Sequence, residues 1–185
     1  MGILLKRALD LAALWHAPQQ RKYPGAAIPY MSHCAGVALR LARHGFDEEV
    51  QAAGALHDSM EDAGITREQL TKEFSARVAE LVEHCSEPDK TLSWEERKAR
   101  YLEHFRHKPW DAQAITVADK LDNFESIRVC ARYYGDPWAQ FKRGRAQQLE
   151  RFDALAAALK NLPAHALLTE YIEELERIRE LKSNP

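Results

Sequence analysis

The chain has 185 residues, 45% of them hydrophobic and 29% charged, which is the balance of a soluble globular protein long enough to bury a sizeable core. Its formal charge of −2 excludes the basic excess that marks a nucleic-acid-binding surface. Three widely spaced cysteines (Cys34, Cys85, Cys130) make no metal-binding pairs and point to reduced thiols in a cytoplasmic protein.

Taken in chain order, the sequence reads as helices separated by short punctuation. Leu4, Leu5, Ala8, Leu9, Ala12 and Trp15 have helical spacing, and Pro18 ends that first helix. Lys6, Arg7 and Asp10 interrupt its apolar run, and no small-residue cleavage site follows, so neither export nor membrane insertion is expected. A polar loop over 19–29 carries Arg21 and Lys22. The second helix starts near 29–33, runs through Val37 and Leu41, and stops at Gly45. Asp47 is the expected N-cap of one helix that holds 52–64, with Gly64 as its stop. Thr66 with Gln69, and Ser93 with Glu96, have capping-box spacing and open helices near 67–74 and 94–107. A further helix is expected over about 75–85. After Pro109 the pattern predicts one longer helix over 111–134, closed by Gly135. Asp136-Pro137 then starts an amphipathic helix carrying Trp138, Phe141, Leu149, Phe152 and Leu155. The last helix follows Pro163 and shows Leu168, Tyr171, Leu175 and Ile178. No stretch alternates like a strand, so the expectation is an all-α fold, a compact multi-helix bundle in one domain over 1–185.

Polar residues break the apolar pattern in three places. In AAGALHDSMEDAG, read as a helix, His57 stands over Glu61 and Asp58 over Asp62, directly after a small apolar run. His33 sits one turn before Val37 on the second helix. Asp119 follows Ile115, Val117 and Ala118, with Asn123 four residues later on its side. Ionised carboxylates are not left beside a core unless something pairs them, and a divalent cation suits His and Asp together. Each residue alone has a plainer reading: a packed core histidine, a helix cap, a solvated charge pair at Arg21 and Lys22. Their order along the chain is what supplies four ligands from three helices, with coordination positions left for water and substrate.

The pattern His33, His57-Asp58, Asp119 resembles the HD metal-dependent phosphohydrolase superfamily. Within it the sequence is most similar to the alarmone hydrolases, meaning the hydrolase domains of Rel/Spo proteins and their small stand-alone relatives, the metazoan SpoT homologue included. The likeness covers about 16–123. It takes in Gln20-Arg21-Lys22 ahead of Pro29-Tyr30, then Glu61-Asp62, Asp89-Lys90-Thr91-Leu92, Glu96-Arg97-Lys98 and Ala118-Asp119-Lys120-Leu121 with Asn123. The resemblance implies that His33, His57, Asp58 and Asp119 hold one divalent ion, typically manganese. It implies that Glu61 and Asp62 orient the attacking water and shuttle its proton, and that Arg21, Lys22 and Asn123 contact the nucleotide. The implied reaction removes pyrophosphate from the 3′ position of guanosine tetra- or pentaphosphate (ppGpp or pppGpp), yielding GDP or GTP.

Departures from the family are equally specific. Trp94 stands where the family often has a basic residue. The substrate-side tyrosine and basic residues that follow Asn123 in the family have no clear match, and Lys142, Arg143 and Arg145 are either substitutes or a solvated basic face. His84, His104 and His107 are the residues that a second metal would need, although His104 and His107 also suit a helix C-terminus as cations. His16, His44 and His165 read as surface or helix-end residues. Two other readings compete: the same metal chemistry on another nucleotide, such as a deoxynucleoside monophosphate or a phosphorylated nicotinamide cofactor, and an HD scaffold that senses a nucleotide without turning it over.

Overall fold

The computed structural model describes residues 2–86, 94–139, 141 and 143–181, and of 94, 95, 97–99 and 101 the backbone alone. Ser93, the 89–92 motif and Lys142 fall outside the described residues. Among the described residues the fold is all-α, with ten helices and two isolated β-bridges, Gln20 with Pro29 and Tyr23 with Ala26.

The core is built around α3 (Glu48–Leu56). Asp47 caps it, accepting from the Val50 N–H at 3.1 Å. Val50 and residues 52–56 are all buried, and a helix that is apolar all round must be enclosed on every side. It is enclosed by α1 (Ile3–Trp15), α2 (Met31–Arg43), α6 (Ala76–Cys85) and α8 (Trp110–Tyr133). The α2 helix approaches closely because residue 54 is glycine: a Cβ there would stand 2.4 Å from Leu41 Cδ1 and 3.3 Å from Val37 Cγ1. From α1, Leu5, Ala8 and Ala12 form the buried stripe. Glu48 reaches across to accept from the Leu5 N–H at 2.9 Å, satisfying one of the donors left over at a helix start.

The second spine is α8, which is buried without interruption over 112–118 and again at Leu121, Asp122, Phe124 and Ile127. Its polar core residues are satisfied, Gln113 by the Phe105 carbonyl at 2.9 Å and Thr116 by the Ala112 carbonyl at 3.1 Å. On its far side α10 (Ala166–Arg179) packs with α9 (Gly144–Leu159), and Tyr171 Oη donates to the Phe152 carbonyl at 2.9 Å. The Thr66–Gln69 capping box opens α5 (Arg67–Glu73) as expected, and α7 (Trp94–His107) has the expected span. Among the described residues no helix is long and apolar enough to cross a membrane.

Two boundaries differ from the sequence reading. The segment from Asp47 to Gly64 is not one helix: α3 ends at Leu56, His57 and Asp58 form a turn, and α4 (Ser59–Ala63) resumes before Gly64 at φ +68°. At the break His57 Nδ1 lies 2.9 Å from the Gly54 carbonyl, the acceptor that a continuous helix assigns to the Asp58 N–H. The second difference is at Asp136, whose carboxylate accepts from the Trp138 N–H at 2.9 Å but caps only a turn. Here α9 begins at Gly144, whose φ of +65° is left-handed and cannot continue a helix arriving from 137.

Candidate active site

His33 comes from the first turn of α2, His57 and Asp58 from the break between α3 and α4, and Asp119 from the middle of α8. His33 Nε2 stands 3.3 Å from Asp119 Oδ1 and 3.8 Å from Asp58 Oδ2. His57 Nε2 lies 3.0 Å from Asp58 Oδ2 and 4.0 Å from Asp119 Oδ1. Donor atoms of His33, His57 and Asp58 all fall within 4.8 Å of one another, a spacing that could hold a metal ion, and Asp119 adjoins them. The break at His57 is therefore what aims this pair of side chains.

The donor set fits a divalent first-row ion on three counts. Two imidazole nitrogens and two carboxylates are the ligand types such ions take. Both Nδ1 atoms are already engaged, His33 with Asp122 Oδ2 at 2.6 Å and His57 with the Gly54 carbonyl at 2.9 Å, which leaves the Nε2 atoms turned to the cluster. His57 Nε2, though buried and near Asp58, makes no hydrogen bond of its own. Electrostatics agree. Burial opposes charge on His57, yet Asp58 and Asp119 outweigh it and raise the imidazole to about 9. Burial likewise pushes both carboxyls up, but His57 beside Asp58, and Lys120 and His33 beside Asp119, hold them below the usual carboxylate range. The cluster favours positive charge.

Two cavities flank it. A small one, about 80 Å³, is lined by His57, Asp58, Glu61, Thr116, Asp119 and Lys120. A larger groove of about 260 Å³ is lined by Arg21, Lys22, Tyr23, Asp62, Asn123 and Ser126 among others. Tyr30 joins them, since it lines the groove while its hydroxyl donates to Asp58. Burial first, then Asp58, raises the Tyr30 phenol, so it stays a donor.

The loop over 19–29 is folded, not loose. Tyr30 N–H donates to the Gln19 carbonyl at 3.0 Å and Arg21 N–H to the Ile28 carbonyl at 2.8 Å. This directs Arg21 inward, where its guanidinium donates to Asn123 Oδ1 at 3.0 Å and Ser126 Oγ at 2.8 Å. Arg21 is thus not half of a solvated pair, whereas Lys22 is exposed at the groove. Asn123 also donates to Asp119 Oδ1 at 2.6 Å, so the amide bridges the His-Asp cluster and the groove.

Other expectations resolve differently. His16 is at the end of α1 but buried, with its ring 5.2 Å from Tyr30 and Nδ1 2.7 Å from Gln19 Oε1. His84 and His107 stand near Glu80 and Glu103 on their own helices, and among the described residues the metal-competent group includes neither of them nor His104. Arg145 donates to the Arg179 carbonyl at 2.5 Å and lies over the Trp138 ring, tying down the end of α10. From that segment the groove takes Pro137 and Phe141. Sequence reasoning missed Asp122, buried one turn after Asp119. The signal was His33 itself, whose Nδ1 needs a partner whenever Nε2 faces a metal.

A family model described as HD domain matches residues 8–145. The guanosine-3′,5′-bis(diphosphate) 3′-pyrophosphohydrolase MESH1 of Xenopus tropicalis is 37% identical over 129 residues, 69% of this chain and 71% of that protein. The solved structure of a metazoan orthologue of SpoT, described as hydrolysing ppGpp, superposes with a TM-score of 0.82 at 29% identity over 98% of both chains. A crystal structure of lmo0812 from Listeria monocytogenes EGD-e gives 0.70 at 38% identity, over 81% of this chain and 95% of that one. The chain belongs to the HD-domain family, in the branch that holds the MESH1 pyrophosphohydrolases.

Proposed function

We propose that this protein is a manganese-dependent hydrolase that removes pyrophosphate from the 3′ position of guanosine tetra- or pentaphosphate, leaving GDP or GTP, and that it works as one domain. The observation that carries the reading is the convergence of two imidazoles and two carboxylates beside a groove bearing Arg21, Lys22 and Asn123. The names of the relatives that match most of their length support the same reaction.

In this reading His33, His57, Asp58 and Asp119 hold the ion, and manganese suits their mix of nitrogen and oxygen better than magnesium does. When bound, such an ion lowers the pKa of a coordinated water and polarises a phosphoryl oxygen. Water adds to the phosphorus carried by the 3′ oxygen, the bond from that phosphorus to the 3′ oxygen breaks, and the 3′ oxygen leaves with a proton. Glu61, which lines the small cavity, accepts the proton that water gives up. Asp62 acts from the groove side, where Gln19 Nε2 donates to it at 2.8 Å. Arg21 and Lys22 supply cations that hold the nucleotide, and Asn123, whose amide hydrogens both go to Asp119, keeps Arg21 facing the groove where the ribose or phosphate region would lie.

The test is product analysis after incubation with manganese and a panel of nucleotides. Pyrophosphate together with GDP is the expected result. Inorganic phosphate from a monophosphate, or a nucleotide bound and returned unchanged, would overturn it.

A further inference from the structure

One carboxylate oxygen connects the two halves of the site. Asp122 Oδ2 lies 2.6 Å from His33 Nδ1 and 3.6 Å from an Arg21 guanidinium nitrogen. All three side chains are nearly enclosed, with exposures of 11%, 1% and 10%, so these contacts are little screened by water. Space for the carboxylate is built in by α2: a Cβ at Gly36 would stand 1.9 Å from Asp122 Oδ1 and 2.9 Å from its Cγ. Gly36 has no left-handed backbone to explain it, since the positive-φ glycines are others, so room for Asp122 is what glycine provides there.

We propose that Asp122 is a positioning residue that couples metal affinity to nucleotide grip, with Gly36 as the seat that lets it reach both His33 and Arg21. Towards His33 it accepts the Nδ1 proton, which fixes the ring with Nε2 turned to the metal cluster and makes that nitrogen a stronger ligand. Towards Arg21 it supplies the negative charge that holds the guanidinium between Asn123 and Ser126. One displacement of Asp122 therefore loosens both. The nucleotide half of this inference rests on the proposed function; the metal half does not.

The experiment uses the full chain as Asp122→Asn, Asp122→Ala, Gly36→Ala and the Gly36→Ala/Asp122→Ala double variant. Manganese affinity is measured without nucleotide, by competition with a chelating dye, and KM and kcat are measured at saturating manganese. Asp122→Ala and Gly36→Ala are each expected to weaken manganese by about 10–100-fold, the range for removing the partner of a metal-bound histidine, and to raise KM. Asp122→Asn, which keeps an acceptor but loses the charge, falls between them and the parent. In the double variant Gly36→Ala should cost nothing further, because Asp122→Ala has already emptied the seat, and a merely structural glycine would not show that dependence. Should Gly36→Ala fail to fold, Asp122→Asn against Asp122→Ala still decides the matter. Manganese affinity and KM within twofold of the parent in the Asp122 variants would overturn the proposal, and so would a change confined to one of the two. If the parent releases no pyrophosphate, the proposed function fails while the manganese titration still reads the contact with His33.

Discussion

Glu61 and Asp62 are adjacent in α4, yet they line different cavities: Glu61 the small one shared with His57, Asp58 and Asp119, Asp62 the groove shared with Arg21 and Asn123. Successive helical residues point about 100° apart, so one short helix can serve both sides. In the proposed mechanism Glu61 handles the proton and Asp58 holds the ion, a division that two variants can test. Glu61→Gln keeps shape and loses the basic carboxylate, so kcat is expected to fall about 10²–10⁴-fold with metal stoichiometry unchanged. Asp58→Asn should lose metal and activity together. Elemental analysis and kcat on both variants decide it, and a Glu61→Gln protein that sheds its metal would refute the division.

Arg21 reaches Asn123 and Ser126 from a loop that precedes the first proposed ligand. Arg21→Ala should raise KM at least tenfold while metal content stays at the parent level. Arg21→Lys should recover only part of this, because the charge is kept but the ammonium sits one bond short of the Nη2 nitrogen that makes both contacts. A drop in metal content with an unchanged KM would assign the loop a different role.

Asp58 and Asp119 are two carboxylates drawn together around two imidazoles, so the folded state should bind a divalent ion far better than the unfolded chain. Chelation is expected to abolish turnover and lower the melting temperature. Manganese should restore activity more completely than magnesium. At a free manganese concentration about 100 times its Kd, mass action adds about 2.7 kcal/mol of stability. Melting curves with chelator, magnesium or manganese test this, and identical curves in all three would contradict it.

Much of this was readable because helical periodicity and capping are local. Asp47, the Thr66–Gln69 box and Gly64 mark helix ends through atoms within a few residues of one another. The proposed ligand set was readable too, since His33, His57, Asp58 and Asp119 each interrupt an apolar face. What stayed hidden depends on distant partners or on one side chain's geometry. Asp122 acquires its meaning from His33, 89 residues earlier. The break at His57 goes with a ring nitrogen bonded to the Gly54 carbonyl, and no residue pattern announces that bond. Arg21 looks solvated in sequence because its acceptors, Asn123 and Ser126, lie on α8.

Away from the site, Glu170 on α10 anchors α2 by accepting from Arg40, from Arg43 at 2.6 Å and from His44 Nε2 at 2.5 Å, while the nearly enclosed Arg40 also bonds to Glu125 at 2.7 Å. Burial alone would raise the Glu170 carboxyl, but the His44 bond and the two guanidinium groups outweigh it and hold it below its ordinary 4.5. A carboxyl depressed in the folded state contributes stability in full above its unfolded pKa and loses it as pH falls through the folded one. Glu170 should therefore stabilise fully at pH 7 and progressively less below about pH 4.5. Glu170→Gln is expected to cost about 2 kcal/mol at pH 7, less than a fully buried pair because the side chain keeps 18% exposure. Asp58 and Asp119 are also held below the usual carboxylate range, so the informative quantity is the difference between parent and variant, which cancels their contribution. That difference, from denaturant melts between pH 7 and pH 3, should shrink as the pH falls. Parallel curves across the whole range would show that Glu170 does not hold α2 to α10 by charge.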